Sequence, residues 1–251
     1  MADYQTRTIT LLRRPLGEAD YLGVFLSADR GKIRAVARGT RKPKSKLAPA
    51  VQPFVLAEIM FGRGKGLDVV AQVQVEEPFP PLRSDLRRLA HASYWCELVD
   101  RGVEEGQPVP RVFLLLQACL RLGAVCDDLV LLTGYLELHL MRELGFEMSL
   151  YQCPECGGEP PEGATLWAPA LGGVVCRSCV GTTAGMRAMG GAALSLLREI
   201  AASRAGELMS LAPERAALRE GEGLVRRYVE YHIDAPLKSL AFLRRVEGLM
   251  E

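Results

Sequence analysis

The sequence predicts an α+β protein of several domains: an N-terminal five-stranded OB-fold β-barrel, an α-helical bundle, and an inserted four-cysteine zinc module. Three observations predict this. Short strand patterns fill the chain up to residue 76, apolar residues recur at helical spacing from Leu82 onwards, and two CxxC pairs interrupt the helical region. With 251 residues, 49% of them hydrophobic, the chain can bury a core in each larger part.

Five runs have the alternating or β-branched pattern of short strands, with turn residues between them. They span residues 6–14, 21–27, 32–38, 52–61 and 67–76. The glycine-rich GRGKG at 62–66 is typical of a hairpin loop. Five strands in so short a segment favour a small barrel such as an OB-fold over residues 1–79, and an SH3-like barrel is the structural alternative.

Prolines after residue 77 end the strand pattern, and a helical domain is expected over residues 82–149 and 186–251. A first helix begins at Leu82, and further helices are predicted at 111–122, 128–144, 190–203, 213–233 and 236–249. The helix at 128–144 is apolar nearly all round, which predicts a position at the centre of the bundle.

A zinc module is expected over residues 150–185, where four cysteines follow the pattern C-x2-C-x19-C-x2-C. The predicted ligands are Cys153, Cys156, Cys176 and Cys179. Two residues between cysteines let one turn aim both sulfurs at a single ion, and the second pair completes a tetrahedron. Four thiolates leave no position for water, so we predict structural Zn²⁺. A catalytic or DNA-contacting zinc and a redox-active CxxC pair are the alternatives.

Positive charge is concentrated near the N-terminus. Residues 1–80 carry a net charge of +5, the rest of the chain carries −4, and the segment 30–46 has eight Lys/Arg and no acid. Because strand side chains alternate, Lys32 and Arg34 can face outwards while Ile33, Ala35 and Ala37 face the barrel interior. This pattern predicts a surface that binds phosphate backbones with little sequence preference. The alternative is a charged face that is only solvated and binds no partner.

The predicted DNA-binding residues are Arg30, Lys32, Arg34, Arg38, Arg41, Lys42, Lys44, Lys46, Arg63 and Lys65. Tyr21 and Phe25, on the neighbouring strand, are candidates for stacking against bases, although either can belong to the core.

No catalytic residues are predicted, because the sequence lacks a P-loop, HExxH, GxSxG or a paired-carboxylate constellation. We therefore expect a non-enzyme without a nucleotide cofactor. His91, His139 and His232 are expected to be ordinary packed or surface residues, and Cys96, Cys119 and Cys126 small core residues. Without a signal peptide or a long apolar run, the expected location is the cytoplasm, at the nucleoid, with no membrane association.

Four segments in order resemble the bacterial RecO family. They are GEADYLGVFLSADRGKIRAVARGTRKPKSKL at 17–47, YWCELVDRGVEEGQPVPRVFLLL at 94–116, LELHLMRELGFEMSLYQCPECG at 136–157 and PLKSLAFLRRV at 236–246. The resemblance implies an N-terminal OB-fold, a helical domain and a zinc module between helices. Some members lack the cysteines, whereas this chain has all four.

The same resemblance implies a DNA repair and recombination mediator of the RecF pathway. Such proteins bind single- and double-stranded DNA, anneal complementary strands without hydrolysing nucleotides, and bind the C-terminal tail of single-stranded-DNA-binding protein. Together with RecR they assist the loading of RecA. From the residues alone, three alternatives stay open: an OB-fold and zinc-ribbon protein of RNA binding or transcription, a zinc enzyme, and a scaffold for an acidic protein.

Overall fold

The computed structural model describes residues 3–160, 165–179, 185–233 and 235–249. These residues form two compact units. The first contains the chain up to Asp127 together with the residues from Pro236 onwards, and the second spans Asp128–Ala235. The first unit is therefore built from two segments that are separated in sequence by the whole of the second.

The N-terminal part of the first unit is a closed five-stranded barrel. Its strands are β1 (Tyr4–Leu16), β2 (Asp20–Ser27), β3 (Gly31–Ala37), β4 (Leu56–Gly62) and β5 (Asp68–Glu77). The strand order is β1-β2-β3-β5-β4, with β1 paired to β4, and only the short β3–β5 pairing is parallel. This arrangement confirms the predicted OB-like barrel, and the glycine-rich loop joins β4 to β5 as the predicted hairpin.

The barrel interior follows the alternation read from the sequence. Ile33, Ala35 and Ala37 of β3 are buried, whereas Arg34 between them is exposed. Phe25 and Phe61 meet edge to face inside the barrel, with ring centroids 5.5 Å apart. Phe25 is fully buried in this core, so the suggestion that it stacks against bases is corrected.

The fourth strand begins at Leu56, later than its predicted start at residue 52. The backbone turns at Phe54, whose φ of 73° lies in the left-handed region. The N–H of Phe54 donates to the carbonyl of Thr10 at 2.8 Å, and Thr10 donates back to Val55 at 3.0 Å. These two bonds hold the turn against β1 and leave the strand to start two residues beyond Phe54.

Four helices complete the first unit in the described residues. They are α1 (Pro81–Ser84), α2 (Leu86–Gly102), α3 (Pro110–Gly123) and α8 (Lys238–Glu247). The predicted first helix is divided because Asp85 is extended and caps α2, accepting from the N–H of Arg88 at 2.8 Å. Glu97 of α2 accepts the N–H of Ser239 at 2.6 Å, which fixes the start of α8.

The second unit contains the remaining described helices and a small sheet. The helices are α4 (Leu129–Glu143), α5 (Gly191–Ala202), α6 (Ala205–Leu208) and α7 (Arg215–His232); the strands are β6 (Thr165–Ala168), β7 (Gly173–Val175) and β8 (Arg187–Met189). Twelve of the fifteen residues of α4 are buried and it packs on α5 and α7, so its predicted central position is confirmed. The sheet and α6 have no counterpart among the predicted elements.

This grouping divides the predicted helical domain, because α1–α3 and α8 lie with the barrel and α4–α7 lie in the other unit. The physical cause is the packing of α8 on α2 and of α2 on β1. The composition-based domain limits, 1–79, 82–149 with 186–251, and 150–185, stay predictions.

Candidate metal centre and nucleic-acid interface

The first CxxC pair sits in a tight turn that follows α4. The N–H of Gly157 donates to the carbonyl of Cys153 at 2.8 Å, and the N–H of Gly158 points at the sulfur of Cys156 at 3.4 Å. Gly157 has a φ of 73°, a conformation that glycine adopts without strain. The turn therefore presents both cysteine sulfurs on the same side.

The second CxxC pair closes the centre from the opposite side. It follows β7, and Arg177–Cys179 form a single 3-10 turn in which the N–H of Cys179 donates to the carbonyl of Cys176 at 3.1 Å. All four sulfurs lie within 4.8 Å of one another, and those of Cys156 and Cys176 are 3.5 Å apart. The structure thus brings together all four predicted ligands.

The sulfur geometry fits a single metal ion. Zn–S bonds of about 2.3 Å in a tetrahedron place the sulfurs about 3.8 Å apart, close to the observed spacing. Four thiolates with no oxygen or nitrogen donor are the ligand set of a closed site for a soft or borderline cation. These cysteines could therefore hold a metal ion with no position left for substrate or water.

The cysteine sulfurs also influence one another's ionisation. Burial opposes ionisation of Cys153, but backbone N–H groups, first that of Cys176, outweigh it and lower the pKa of Cys153 to about 6. Hydrogen bonds with Cys156 and Cys176 raise the pKa of Cys179 to about 12. The same sulfur cluster therefore shifts the pKa of Cys153 and the pKa of Cys179 in opposite directions.

The core beneath the metal centre is small. Ala168 of β6 and Val175 of β7 are buried beside the cysteines, with Leu171 and Met186 partly covering them. A cluster of this size buries too little apolar surface to hold a fold alone. Trp167 of β6 is also fully buried, with its ring centroid 6.5 Å from that of Tyr228 in α7, so the sulfur site, this cluster and the contact with α7 together hold the three-stranded sheet.

Lys32 is turned towards protein and away from solvent. Its ammonium lies 3.3 Å from the carboxylate of Asp100 in α2, and only 9% of the Lys32 side chain is exposed. It also donates to the main-chain carbonyl of Asp100. Lys32 faces outwards from β3, as predicted, but α2 covers it. The predicted contact between Lys32 and DNA stays a prediction, and these surroundings do not favour it.

Arg34, two residues further along β3, makes an exposed ion pair. Its Nε lies 2.6 Å from Oε1 of Glu105, and each side chain is about half exposed. Glu105 belongs to the loop between α2 and α3, which bridges to Gly31 and Lys32 of β3. A Cβ on Gly31 would lie 1.9 Å from the carbonyl oxygen of Gln107, so only glycine allows the loop this close.

Two predicted arginines meet at one end of the barrel around an aromatic ring that the sequence reading missed. Arg30 lies 4.2 Å and Arg63 lies 5.5 Å from the ring centroid of Tyr4. The Tyr4 hydroxyl donates to Asp68 at 2.6 Å; burial and this carboxylate raise the pKa of Tyr4. These side chains line one groove together with Arg34 and Glu105.

The rest of the predicted basic surface is exposed. Seven of the predicted DNA-binding residues make no ion pair among the described residues: Arg38, Arg41, Lys42, Lys44, Lys46, Arg63 and Lys65. Arg41 donates to the carbonyl of Gly17 at 3.0 Å and lies 5.9 Å from the ring centroid of Tyr21. Tyr21 is half buried and has Arg13 at 4.5 Å on its ring, so it is available only in part for stacking.

One histidine and the other cysteines lie outside the metal centre and the basic surface. His91 is fully buried with its ring 3.6 Å from Glu247 of α8, and Cys96 and Cys119 are buried core residues, as predicted. Cys126 is half exposed and does not join the core. Across the described parts of the chain, no helix combines the length and the hydropathy needed to cross a bilayer.

Comparison with known proteins covers almost the whole chain. Residues 1–79 match the family model described as Recombination protein O N terminal, and residues 83–241 match Recombination protein O C terminal. The DNA repair protein RecO of Desulforudis audaxviator is 36% identical over 247 residues, which are 98% of each chain.

Two further relatives carry the same name. That of Desulforamulus reducens is 33% identical over 98% of this chain and 96% of its own, and that of Roseiflexus sp. is 37% identical over 98% and 87%. Two family models that together span both structural units, and relatives matched nearly end to end, agree with the barrel and the helical region described above. The chain belongs to the RecO family.

Proposed function

We propose that this protein is a non-catalytic, DNA-binding recombination mediator in RecF-pathway DNA repair. Membership of a family whose members are named Recombination protein O and DNA repair protein RecO supports a role in recombination and repair. The observation that carries the proposal is the cluster of unpaired cations on the outside of an OB-like barrel, from Arg38 to Lys46.

The exposed cations suit a sugar-phosphate chain better than a folded acidic protein. Lys42, Lys44 and Lys46 lie on one loop between β3 and the 3-10 turn at Ala48–Val51, with no acidic residue in the same segment. Lysines that contact phosphates release counterions, so the affinity falls steeply with salt and depends little on sequence. Both single- and double-stranded DNA offer the phosphate spacing that such a surface needs.

Strand annealing follows from a moderate, non-specific affinity of this kind. Two single strands repel each other, and cations that contact both backbones lower that repulsion while leaving the bases unpaired and accessible. With RecR, the protein assists RecA loading onto strands coated by single-stranded-DNA-binding protein, whose C-terminal tail it binds. No step in this scheme uses a nucleotide, which agrees with the absence of a P-loop from the sequence.

The metal site serves this function indirectly. We propose that Cys153, Cys156, Cys176 and Cys179 hold one structural Zn²⁺. When bound, the ion supplies folding energy and no reaction chemistry, because its four positions are filled by sulfur. Arg177 is the one basic residue in the sequence from Cys153 to Cys179, which agrees with a bracing role more than with DNA contact.

Annealing of complementary oligonucleotides, bare and coated with single-stranded-DNA-binding protein, tests the proposal. Wild type is compared with Lys42→Glu/Lys44→Glu and with the matched reversal Lys238→Glu/Arg245→Glu on α8, whose side chains are also exposed. We expect the first variant alone to lose annealing and to have a flatter salt dependence of binding. Equal behaviour of both variants, or a preference for RNA without annealing, would reject the mediator role.

A further inference from the structure

Two arginines outside the basic segment 30–46 come together in the first unit. Arg13 lies on β1 and Arg83 on α1, far apart in sequence. Nη1 of Arg83 donates to the carbonyl of Pro53 at 3.0 Å, and the turn at Phe54, the next residue, is hydrogen-bonded to β1. The fold therefore holds Arg83 close to the strand that carries Arg13, and we call these two residues the arginine pair.

Arg13 reaches over the ring of Tyr21. The residue paired with Arg13 on β2 is Gly23, so no side chain stands directly opposite it. The guanidinium carbon of Arg13 lies 4.5 Å from the ring centroid of Tyr21, which Arg41 also approaches, at 5.9 Å. Because Arg41 belongs to the basic segment, the arginine pair adjoins the predicted DNA surface.

The charge of the arginine pair is not neutralised by the protein. Among the described residues, no carboxylate forms an ion pair with Arg13 or with Arg83. Burial lowers the pKa of Arg83, and the positive charge of Arg13 lowers it further. Two partly buried guanidinium groups thus repel each other, and an anion bound between them would remove that repulsion.

Most hydrogen-bond donors of the arginine pair are open to a ligand. A guanidinium group has five N–H donors. Over the described parts of the chain, Arg13 donates none of them and Arg83 donates one, to an uncharged main-chain carbonyl. Both side chains are only partly buried, so a ligand can reach them from solvent.

We propose that Arg13 and Arg83 bind one phosphate group of a DNA backbone between them, as a contact added to those of the basic segment. The proposal rests on the proposed function for the choice of ligand. Guanidinium groups bind phosphate oxygens through pairs of parallel hydrogen bonds, and two such groups can share the charge of one phosphate.

The neighbouring cations favour a phosphodiester chain over a single carboxylate. Arg14 follows Arg13, is exposed, and has no ion pair within the described ranges. Arg41 lies against the same tyrosine as Arg13. Nucleic acid carries a negative charge at every nucleotide, so one backbone can contact the arginine pair and then the cations of the basic segment.

Replacement of each arginine by glutamine, alone and together, tests the arginine pair. The variants are Arg13→Gln, Arg83→Gln and the double variant. Arg101→Gln is the matched control, because Arg101 is exposed on α2 and has no ion pair in the described chain. Binding of labelled single-stranded DNA is measured by anisotropy across salt, with Lys42→Glu/Lys44→Glu in parallel to report on the proposed function.

We expect each single variant to weaken DNA binding about three- to tenfold at low salt, and the control to match wild type. Because both arginines hold the same phosphate, the double variant should lose less than the product of the two single losses. Its salt slope should be flatter by about 0.7, the value of one phosphate on single-stranded DNA. Losses that multiply in full would overturn the shared phosphate.

Inorganic pyrophosphate gives a readout without DNA. A ligand that binds only the folded state stabilises it, so pyrophosphate should raise the urea midpoint of wild type and of Arg101→Gln, but not that of the double variant. Arg13→Gln removes no hydrogen bond of the described fold, and it keeps the test valid if Arg83→Gln loosens α1.

The remaining outcomes separate the arginine pair from the proposed function. If the double variant binds DNA as the control does while Lys42→Glu/Lys44→Glu loses affinity, the arginine pair is rejected and the proposed function stands. If wild type binds no DNA, the proposed function fails, and nucleic acid is overturned as the ligand even where pyrophosphate binds. An acidic peptide that displaces pyrophosphate and leaves DNA binding unchanged overturns it as well.

Discussion

Arg34 on the barrel and Glu105 in the loop after α2 form an ion pair with 2.6 Å between Nε and Oε1. Arg34 is one of the residues predicted from the sequence to bind DNA, and this ion pair engages its guanidinium group. Glu105 belongs to a loop that covers the start of β3. The carboxylate therefore competes with any phosphate that approaches Arg34.

Glu105→Gln is expected to strengthen DNA binding. Loss of the carboxylate frees Arg34 for phosphate, and because exposed ion pairs contribute at most about 1 kcal/mol, the expected gain is about two- to fivefold. The salt slope should steepen by up to about one. Glu104→Gln removes the same charge from the neighbouring exposed residue and serves as control. An equal gain in both variants would mean that Arg34 is not the contact released.

Lys32→Met is expected to affect stability more than DNA affinity. The variant leaves the carboxylate of Asp100, 13% exposed, without its ion-pair partner, which costs about 1–3 kcal/mol of unfolding free energy. Affinity for DNA should change less than twofold. Arg38→Met, at an exposed position directly after β3, should show the reverse. Urea unfolding and anisotropy measure the two quantities, and a large affinity loss in Lys32→Met would restore Lys32 to the DNA surface.

Loss of one sulfur ligand is expected to unfold the small sheet. Cys176→Ser should lower the unfolding free energy by about 3 kcal/mol or more, because metal binding contributes directly to folding. Cys126→Ser, a half-exposed cysteine outside the cluster, is the control. Elemental analysis should find one zinc per chain, and X-ray absorption should find sulfur neighbours only, at about 2.3 Å. An oxygen or nitrogen ligand would contradict a closed structural site.

The stability of the second unit is expected to fall between pH 7.5 and 5.5. Burial, with the positive charge of Arg142, lowers the pKa of His139, whose Nδ1 lies 2.8 Å from Arg142. The folded state therefore keeps this imidazole neutral while the unfolded chain binds a proton near pH 6.5, so stability is lost as the pH falls through that value.

His139→Gln should flatten this pH dependence in urea titrations. A residual slope is expected from His232, whose pKa is also lowered by burial. A wild-type protein that gains stability on acidification over this range would contradict the assignment.

Features that depend on the spacing of neighbouring residues could be predicted from the sequence. Alternation along β3 predicted which residues enter the barrel, and the two CxxC turns predicted the sulfur cluster, because a strand or a turn fixes side-chain direction over a few residues. The three-stranded sheet was missed because β7 and β8 are each only three residues long, too short for a period to be visible.

Long-range pairing could not be predicted in this way. Lys32 and Asp100 are 68 positions apart, and Tyr4 and Asp68 are 64 apart. Nothing in a single sequence indicates which of several exposed-looking cations will be covered by a helix that folds back. The prediction of ten DNA-binding residues therefore treated Lys32 and Lys42 alike, although one is nine-tenths covered and the other is exposed.

The capping of α8 by Glu97 has a consequence for synthesis on the ribosome. The residues that form α8 are translated only after all of Asp128–Ala235 has left the peptidyl-transferase centre. Until then, the face of α2 that α8 covers is open to solvent. The first unit still lacks α8 at a stage when the second unit can already fold. Nascent chains halted before Pro236 should therefore be cleaved by protease in α2 and protected in α4.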